Sequence, residues 1–221
     1  ASAALGGPAG LANPRRDSTA LTVVAVDPRT LGDPLLRAPT YRPVLRRQWL
    51  GVKHARLYGE IRALAEAWQA RWVVADSTGV GAGLASFLAH ALPGRVIPFQ
   101  FSAASKSQLG WDFLSLVDGG RWQEPPDDPA EDPASSGLRG LFFKQLAFCR
   151  YEVLPGPAKT LRWGVPDGTR DPVSGEYVHD DLVMSAALAA VLDRQAWPRA
   201  AAGKDPGIIR AGDPLDGMRR F

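Results

Sequence analysis

Two kinds of apolar pattern alternate along the chain. "LTVVAVD" (Leu21 to Asp27), "RWVVAD" (Arg71 to Asp76) and "RVIPFQF" (Arg95 to Phe101) are short runs rich in β-branched and aromatic residues, and they predict buried strands. "VLRRQWLGV" (Val44 to Val52) predicts a more polar strand beside the first. Between them, "ARLYGEIRALAEAWQA" places Leu57, Ile61, Leu64, Ala65 and Trp68 at helical spacing. "STGVGAGLASFLAHAL" turns through glycines into a second helix, and "SKSQLGWDFLSLVDGG" predicts a third, stopped by Gly119 and Gly120. "LRGLFFKQLAFC" reads as a fourth helix. "RYEVLPGPAKTLRWGV" has two β-like arms about a Pro-Gly turn and predicts a hairpin. The last helix comes from "YVHDDLVMSAALAAVL" (Tyr177 to Leu192), an aliphatic and alanine run introduced by two adjacent carboxylates. Strands alternating with helices predict an α/β layer fold in which at least the later strands are parallel.

Composition sets the outer limits. A chain of 221 residues with 45% hydrophobic content suits one large domain with a real core. Residues 1–19 are Gly/Ala/Pro-rich and predict a flexible linker, 20–194 a single domain, and 195–221 a partly ordered basic tail. One cysteine, Cys149, excludes an internal disulfide and a cysteine-rich zinc site. No apolar run of membrane-spanning length exists, and the start lacks the order of a secretory signal, so an intracellular setting is expected. The formal charge of +3 is unevenly spread. Eight Arg or Lys against two Glu fall between Arg37 and Arg71, whereas "EPPDDPAEDP" (Glu124 to Pro133) holds five acids and no base. The basic stretch is compatible with a polyanion partner and equally with a solvated face.

The acids carry the candidate chemistry. Asp27 ends one buried strand, Asp76 ends another, and Asp180 with Asp181 opens the last helix. In open α/β sheets ligands bind at the carboxyl ends of strands. Carboxylates gathered there repel one another unless a cation neutralises them, and all-oxygen ligation suits Mg2+ or Mn2+. Two such ions can clamp the attacking and leaving oxygens of a phosphoryl displacement. Each acid also has a plainer role open to it. Asp27 before Pro28 suits a turn, Asp76 before "STGVG" suits an Asx-turn, and either Asp180 or Asp181 suits a helix cap. "DSTGVGAG" has no lysine after its glycines and lacks the third glycine of the dinucleotide pattern, so neither a P-loop nor a Rossmann site is expected.

Four stretches in order, "VVAVD" (Val23 to Asp27), "WVVADSTGVG" (Trp72 to Gly81), "FSAASK" (Phe101 to Lys106) and "HDDLVMSAALA" (His179 to Ala189), resemble the C-terminal nuclease domain of the large terminase subunit of tailed bacteriophages and prophages. The resemblance implies a ribonuclease-H-like mixed sheet with flanking helices and an added β-hairpin. It implies metal-dependent endonuclease cleavage of concatemeric double-stranded DNA, with Asp27, Asp76, Asp180 and Asp181 as catalytic metal ligands for two Mg2+ or Mn2+ ions. Lys106, Arg150, Lys159 and Arg162 become candidate DNA contacts, and His179 a partner that orients a ligand. The implied partners are DNA, a packaging ATPase domain, a small terminase subunit and a portal protein, in the host cytoplasm and without a membrane. With no Walker lysine, the chain itself is not expected to hydrolyse ATP. A Holliday-junction resolvase or RNase H of the same fold remains an alternative, as does a docking module with little activity alone.

Overall fold

The strand predicted at Leu21 to Asp27 begins earlier, at Ser18, and pairs along its whole length with the next one. The computed structural model describes residues 18–126 and 133–197, with side chains of 133–135 left aside. The expected linker up to residue 17, the acidic stretch at 127–132 and the tail beyond 197 lie outside the described residues. Strand β1 (Ser18–Asp27) runs antiparallel to β2 (Thr40–Leu50), with Ser18 opposite Leu50 and Asp27 opposite Thr40. The register shifts between Val23 and Val24, where the facing residues are Leu45 and Pro43. Pro43 has no N–H to donate, and a bulge beside it spares the ladder one missing bond.

Helix α1 (His54–Ala67) follows, then β3 (Val73–Asp76), α2 (Gly81–Ala91) and β4 (Val96–Phe99). Strands β3 and β4 pair in parallel from Val73 opposite Val96 to Asp76 opposite Phe99, as the alternation predicts. Helices α3 (Ala103–Asp118) and α4 (Pro133–Phe148) precede a hairpin of β5 (Arg150–Val153) and β6 (Leu161–Gly164). The expected hairpin is present and antiparallel. Helix α5 (Asp181–Ala187) closes the fold and continues as 3-10 helix over Leu188–Arg194. Among the described residues the strands pair only two by two, so the mixed α/β class is present but a single continuous mixed sheet is not. No described helix is long and apolar enough to cross a membrane.

The last helix is the centre of the core. Leu182, Val183, Ala186 and Ala187 are buried to 1% exposure or less and pack with Tyr41, Leu109, Phe113, Leu116 and Phe142. Burying each large side chain contributes about 1.5–3 kcal/mol, and the alanines let strand and helix backbones approach closely. A smaller cluster of Leu57, Ile61 and Leu88 joins α1 to α2. Polar clamps fix the rim. Tyr41 donates to Asp193 at 2.5 Å, and Arg121 grips both oxygens of the same carboxylate.

Three side-chain bonds pin the hairpin to α3. Trp163 Nε1 donates to the Lys106 carbonyl at 2.7 Å, the Leu161 N–H to Ser107 Oγ at 2.8 Å, and Trp111 Nε1 to the Lys159 carbonyl at 3.0 Å. Gly110 is required at this junction, since a Cβ there would lie 2.4 Å from Trp163 Nε1. The end of β6 is thereby carried to the mouth of α5.

Candidate functional site

Asp180 occupies the N-cap position of α5 yet makes no capping bond with its side chain. Its Oδ2 instead accepts from the Val165 N–H at 3.2 Å, just beyond β6. The cap comes from elsewhere. Gln145 on α4, itself 2% exposed, offers Oε1 to the Leu182 N–H at 2.9 Å. A neutral side chain from another helix thus performs the task that an Asp at this place usually performs, and both carboxylates are left for other partners.

Asp181 meets the Ser18 hydroxyl at the start of β1, while its Oδ2 is buried with no hydrogen-bond partner. Burial raises its pKa above the ordinary carboxylate value, as does the negative charge of Asp180; Ser18 and the charge of the exposed His179 act the other way. Glu124 Oε2 is the other described carboxylate oxygen in that condition, but its sister oxygen is already bonded to Arg46 and Trp122. A buried carboxylate oxygen left without a hydrogen-bonding partner costs stability, and Asp181 Oδ2 carries that cost at the mouth of α5.

Gly164 completes this corner. Its φ of +130° suits glycine, and a Cβ there would lie 2.4 Å from Asp180 Oδ2 and 3.3 Å from Lys106 Nζ. Lys106 therefore belongs to the same corner as Asp180. Cys149, half-buried, lies within reach of both charges, and its thiol is pushed up to about 11, chiefly by burial and then by Asp180. It is held protonated and unreactive at neutral pH.

Asp76 ends β3 and is exposed. Its Oδ1 accepts from the Thr78 N–H at 2.7 Å, the Asx-turn that the sequence leaves open as an alternative. Thr78 Oγ1 in turn accepts from the Phe101 N–H at 2.7 Å, which ties the Asp76 turn to the segment leading into α3. Gly79 takes a φ of +52°, and Gly81 packs so closely that a Cβ would lie 2.8 Å from the Asp76 carbonyl oxygen. These glycines serve the turn itself.

Asp27 lies away from Asp181. Ser18, which meets Asp181, and Asp27 are opposite ends of β1, nine residues apart, on the order of 30 Å at the usual strand rise. Asp27 caps the turn that follows, accepting from the Arg29 N–H at 2.9 Å and pairing with the Arg29 guanidinium at 2.8 Å. Arg29 holds its pKa below the ordinary value. Among the described residues no three His, Cys, Asp or Glu side chains come together as a ready-made metal cluster.

The candidate DNA contacts divide by position. Arg150, Lys159 and Arg162 lie exposed on the hairpin, with Arg162 facing Glu152 at 3.9 Å. Lys106 stands inside the corner, with its ammonium 5.8 Å from the centroid of the Trp163 ring. Gln145, Gly164 and Ser18 are the participants that sequence reading missed. Gln145 sits in a run read only as helix, and nothing local to it points to α5.

No protein-family model matches the chain, and no curated protein matches it by sequence. Solved structures do match. The large terminase nuclease from thermophilic phage G20c with bound cobalt is 20% identical, with a TM-score of 0.50 over 78% of this chain and 81% of that one. The same nuclease with bound magnesium gives 0.48 at the same identity and coverage. The resemblance read from the four motifs is thus met at the level of architecture, and the chain has the fold of a phage large terminase nuclease domain.

Proposed function

We propose that this domain is a divalent-metal-dependent nuclease of the phage DNA-packaging type, with its metal held at the mouth of α5 by Asp180 and Asp181. The observation that carries the reading is the pair of carboxylates relieved of capping by Gln145, one with a buried, unpartnered oxygen. That donor set fits a hard cation: it is all oxygen, doubly negative and lacks a resident ion pair. The terminase nuclease of phage G20c has been seen with bound cobalt. The shared fold extends divalent metal use to this chain as part of the proposal.

A bound divalent ion would activate water and neutralise charge on the scissile phosphate and its departing 3′ oxygen. Asp180 and Asp181 supply the negative pocket, and the Val165 N–H holds Asp180 in its orientation. Asp76, at the carboxyl end of β3, is proposed as the third carboxylate; turning from Thr78 toward the pair is the movement that a two-ion site requires. Arg150 and Lys159 on the exposed hairpin would grip backbone phosphates, which gives binding without base readout. Cleavage of concatemeric double-stranded DNA, with a packaging ATPase domain, a small terminase subunit and a portal as partners, is part of the same proposal and rests on the terminase-like fold. Plasmid nicking with Mg2+ or Mn2+ tests the reading. It should vanish with EDTA and with Asp180→Asn, and full activity in that variant would sink it.

A second reading is favoured by one observation, the lack of a preformed three-residue cluster among the described residues. In that case the isolated domain binds metal weakly and cuts only when docked in the motor. Calorimetry that finds metal binding without turnover would select it.

A further inference from the structure

Lys106 has its backbone fixed by the hairpin and its ammonium beside Trp163 and Asp180. It lies in the first turn of α3, behind a capping box in which Ser102 and Ser105 bond reciprocally. Its carbonyl accepts from Trp163 Nε1, and its ammonium stands beside the ring of the same residue. The volume that a side chain at Gly164 would fill is bordered by Lys106 Nζ on one side and Asp180 Oδ2 on the other. Among the described residues Lys106 forms no ion pair, with Asp180 or with any other carboxylate, so its charge stands uncommitted beside that corner. The thiol of Cys149 senses both groups, with Asp180 and Lys106 acting in opposite directions.

We propose that Lys106 is a tethered positive charge beside Asp180, unpaired with it, which opposes loading of the divalent cation in the metal-free protein. This rests on the reading of Asp180 as a metal-holding group. A fixed positive charge a few ångströms from a cation site opposes the incoming ion by Coulomb repulsion. Binding of the ion repels the nearby ammonium, and the lysine turns to face a DNA phosphate. Lys106 is thus a positioning residue that links metal loading to DNA binding.

The test is titration calorimetry with Mn2+ alone on the full chain, without DNA and at low ionic strength. Lys106→Met should bind Mn2+ at least about fivefold more tightly than the wild type, because one nearby positive charge has gone. Lys53→Met, at the head of α1, makes the same change in net charge elsewhere and should leave the affinity within about twofold. Asp180→Asn should abolish the binding, alone and combined with Lys106→Met. Unchanged or weaker binding by a folded Lys106→Met overturns the opposing role and leaves the metal reading standing. A wild type that takes up no Mn2+, or an Asp180→Asn variant that still does, overturns both. Thermal melts of the variants separate loss of binding from loss of fold.

Discussion

The two ends of β1 make the most instructive contrast in the molecule. At one end Asp27 has a cation, a backbone donor and a turn to cap, so its lone pairs are occupied and its charge is neutralised. At the other end Ser18 meets Asp181, whose Oδ2 is buried without a partner and whose charge is opposed by burial and by Asp180. Both are aspartates at the edge of apolar runs, and by local sequence they look alike. One carboxylate has partners for both oxygens, whereas the other keeps a buried oxygen without one, which is the feature the proposed metal site uses. The difference lies in what the neighbouring elements supply: Arg29 two residues away in the first case, and Gln145 from another helix in the second.

The largest expected effect separates the two ends by activity. Asp180→Asn should lower the metal-dependent nicking rate by about 100-fold or more, the scale seen when a single charge-stabilising group is removed from a site. Asp27→Ala should leave it within about threefold. Comparable losses from both would erase the contrast.

Gln145→Leu sharpens it from the helix side. The variant strips the cap from the Leu182 N–H in a buried place and should destabilise the domain by about 1–3 kcal/mol in chemical denaturation. It should also weaken Mn2+ binding, since an aspartate recruited to cap the helix no longer faces the metal. A stable variant with unchanged Mn2+ affinity would show that the cap does not free the pair.

Removing the charge of Asp181 should act in the opposite direction on stability. Asp181→Asn in metal-free protein should gain about 1 kcal/mol at neutral pH, in keeping with an unsatisfied functional group. The pH dependence has a defined sign. A carboxyl pKa raised in the folded state contributes stability that is fully present below the unfolded value near 3.8 and is lost as pH rises through the folded value. The wild type should therefore lose stability relative to Asp181→Asn as pH climbs from about 3 toward neutrality. A parallel pair of stability curves would contradict the burial of an unpaired charge.

The smallest effect belongs to Asp27. Asp27→Ala should cost about 0.5–1 kcal/mol, the range for loss of an exposed cap and surface ion pair, as read by the shift in denaturation midpoint.

Much of the fold is legible in the sequence because it rests on local periodicity. β1, β3 and β4 follow from β-branched runs, α1 from the spacing of Leu57, Ile61 and Leu64, and the hairpin from the Pro155-Gly156 turn. The mouth of α5 is legible too, as two acids before an apolar run. The site's membership is less so. Asp27 looks like a ligand because its strand is buried and ends in an acid, but which end of a strand meets α5 is a tertiary fact. Gln145 and Gly164 act through partners 37 and 16 residues away in the chain, and no local pattern encodes such distances. Lys106 is visible in "FSAASK", but its approach to Asp180 depends on Trp163 and on the absence of a side chain at residue 164.

The most direct test is a crystal of the domain soaked in Mn2+ and measured for anomalous scattering. A peak is expected within coordination distance of Asp180 and Asp181, with Asp76 turned toward it, and none at Asp27, where Arg29 already holds the carboxylate. Density at Asp27, or a bare α5 mouth in crystals that carry Mn2+ elsewhere, would contradict that placement.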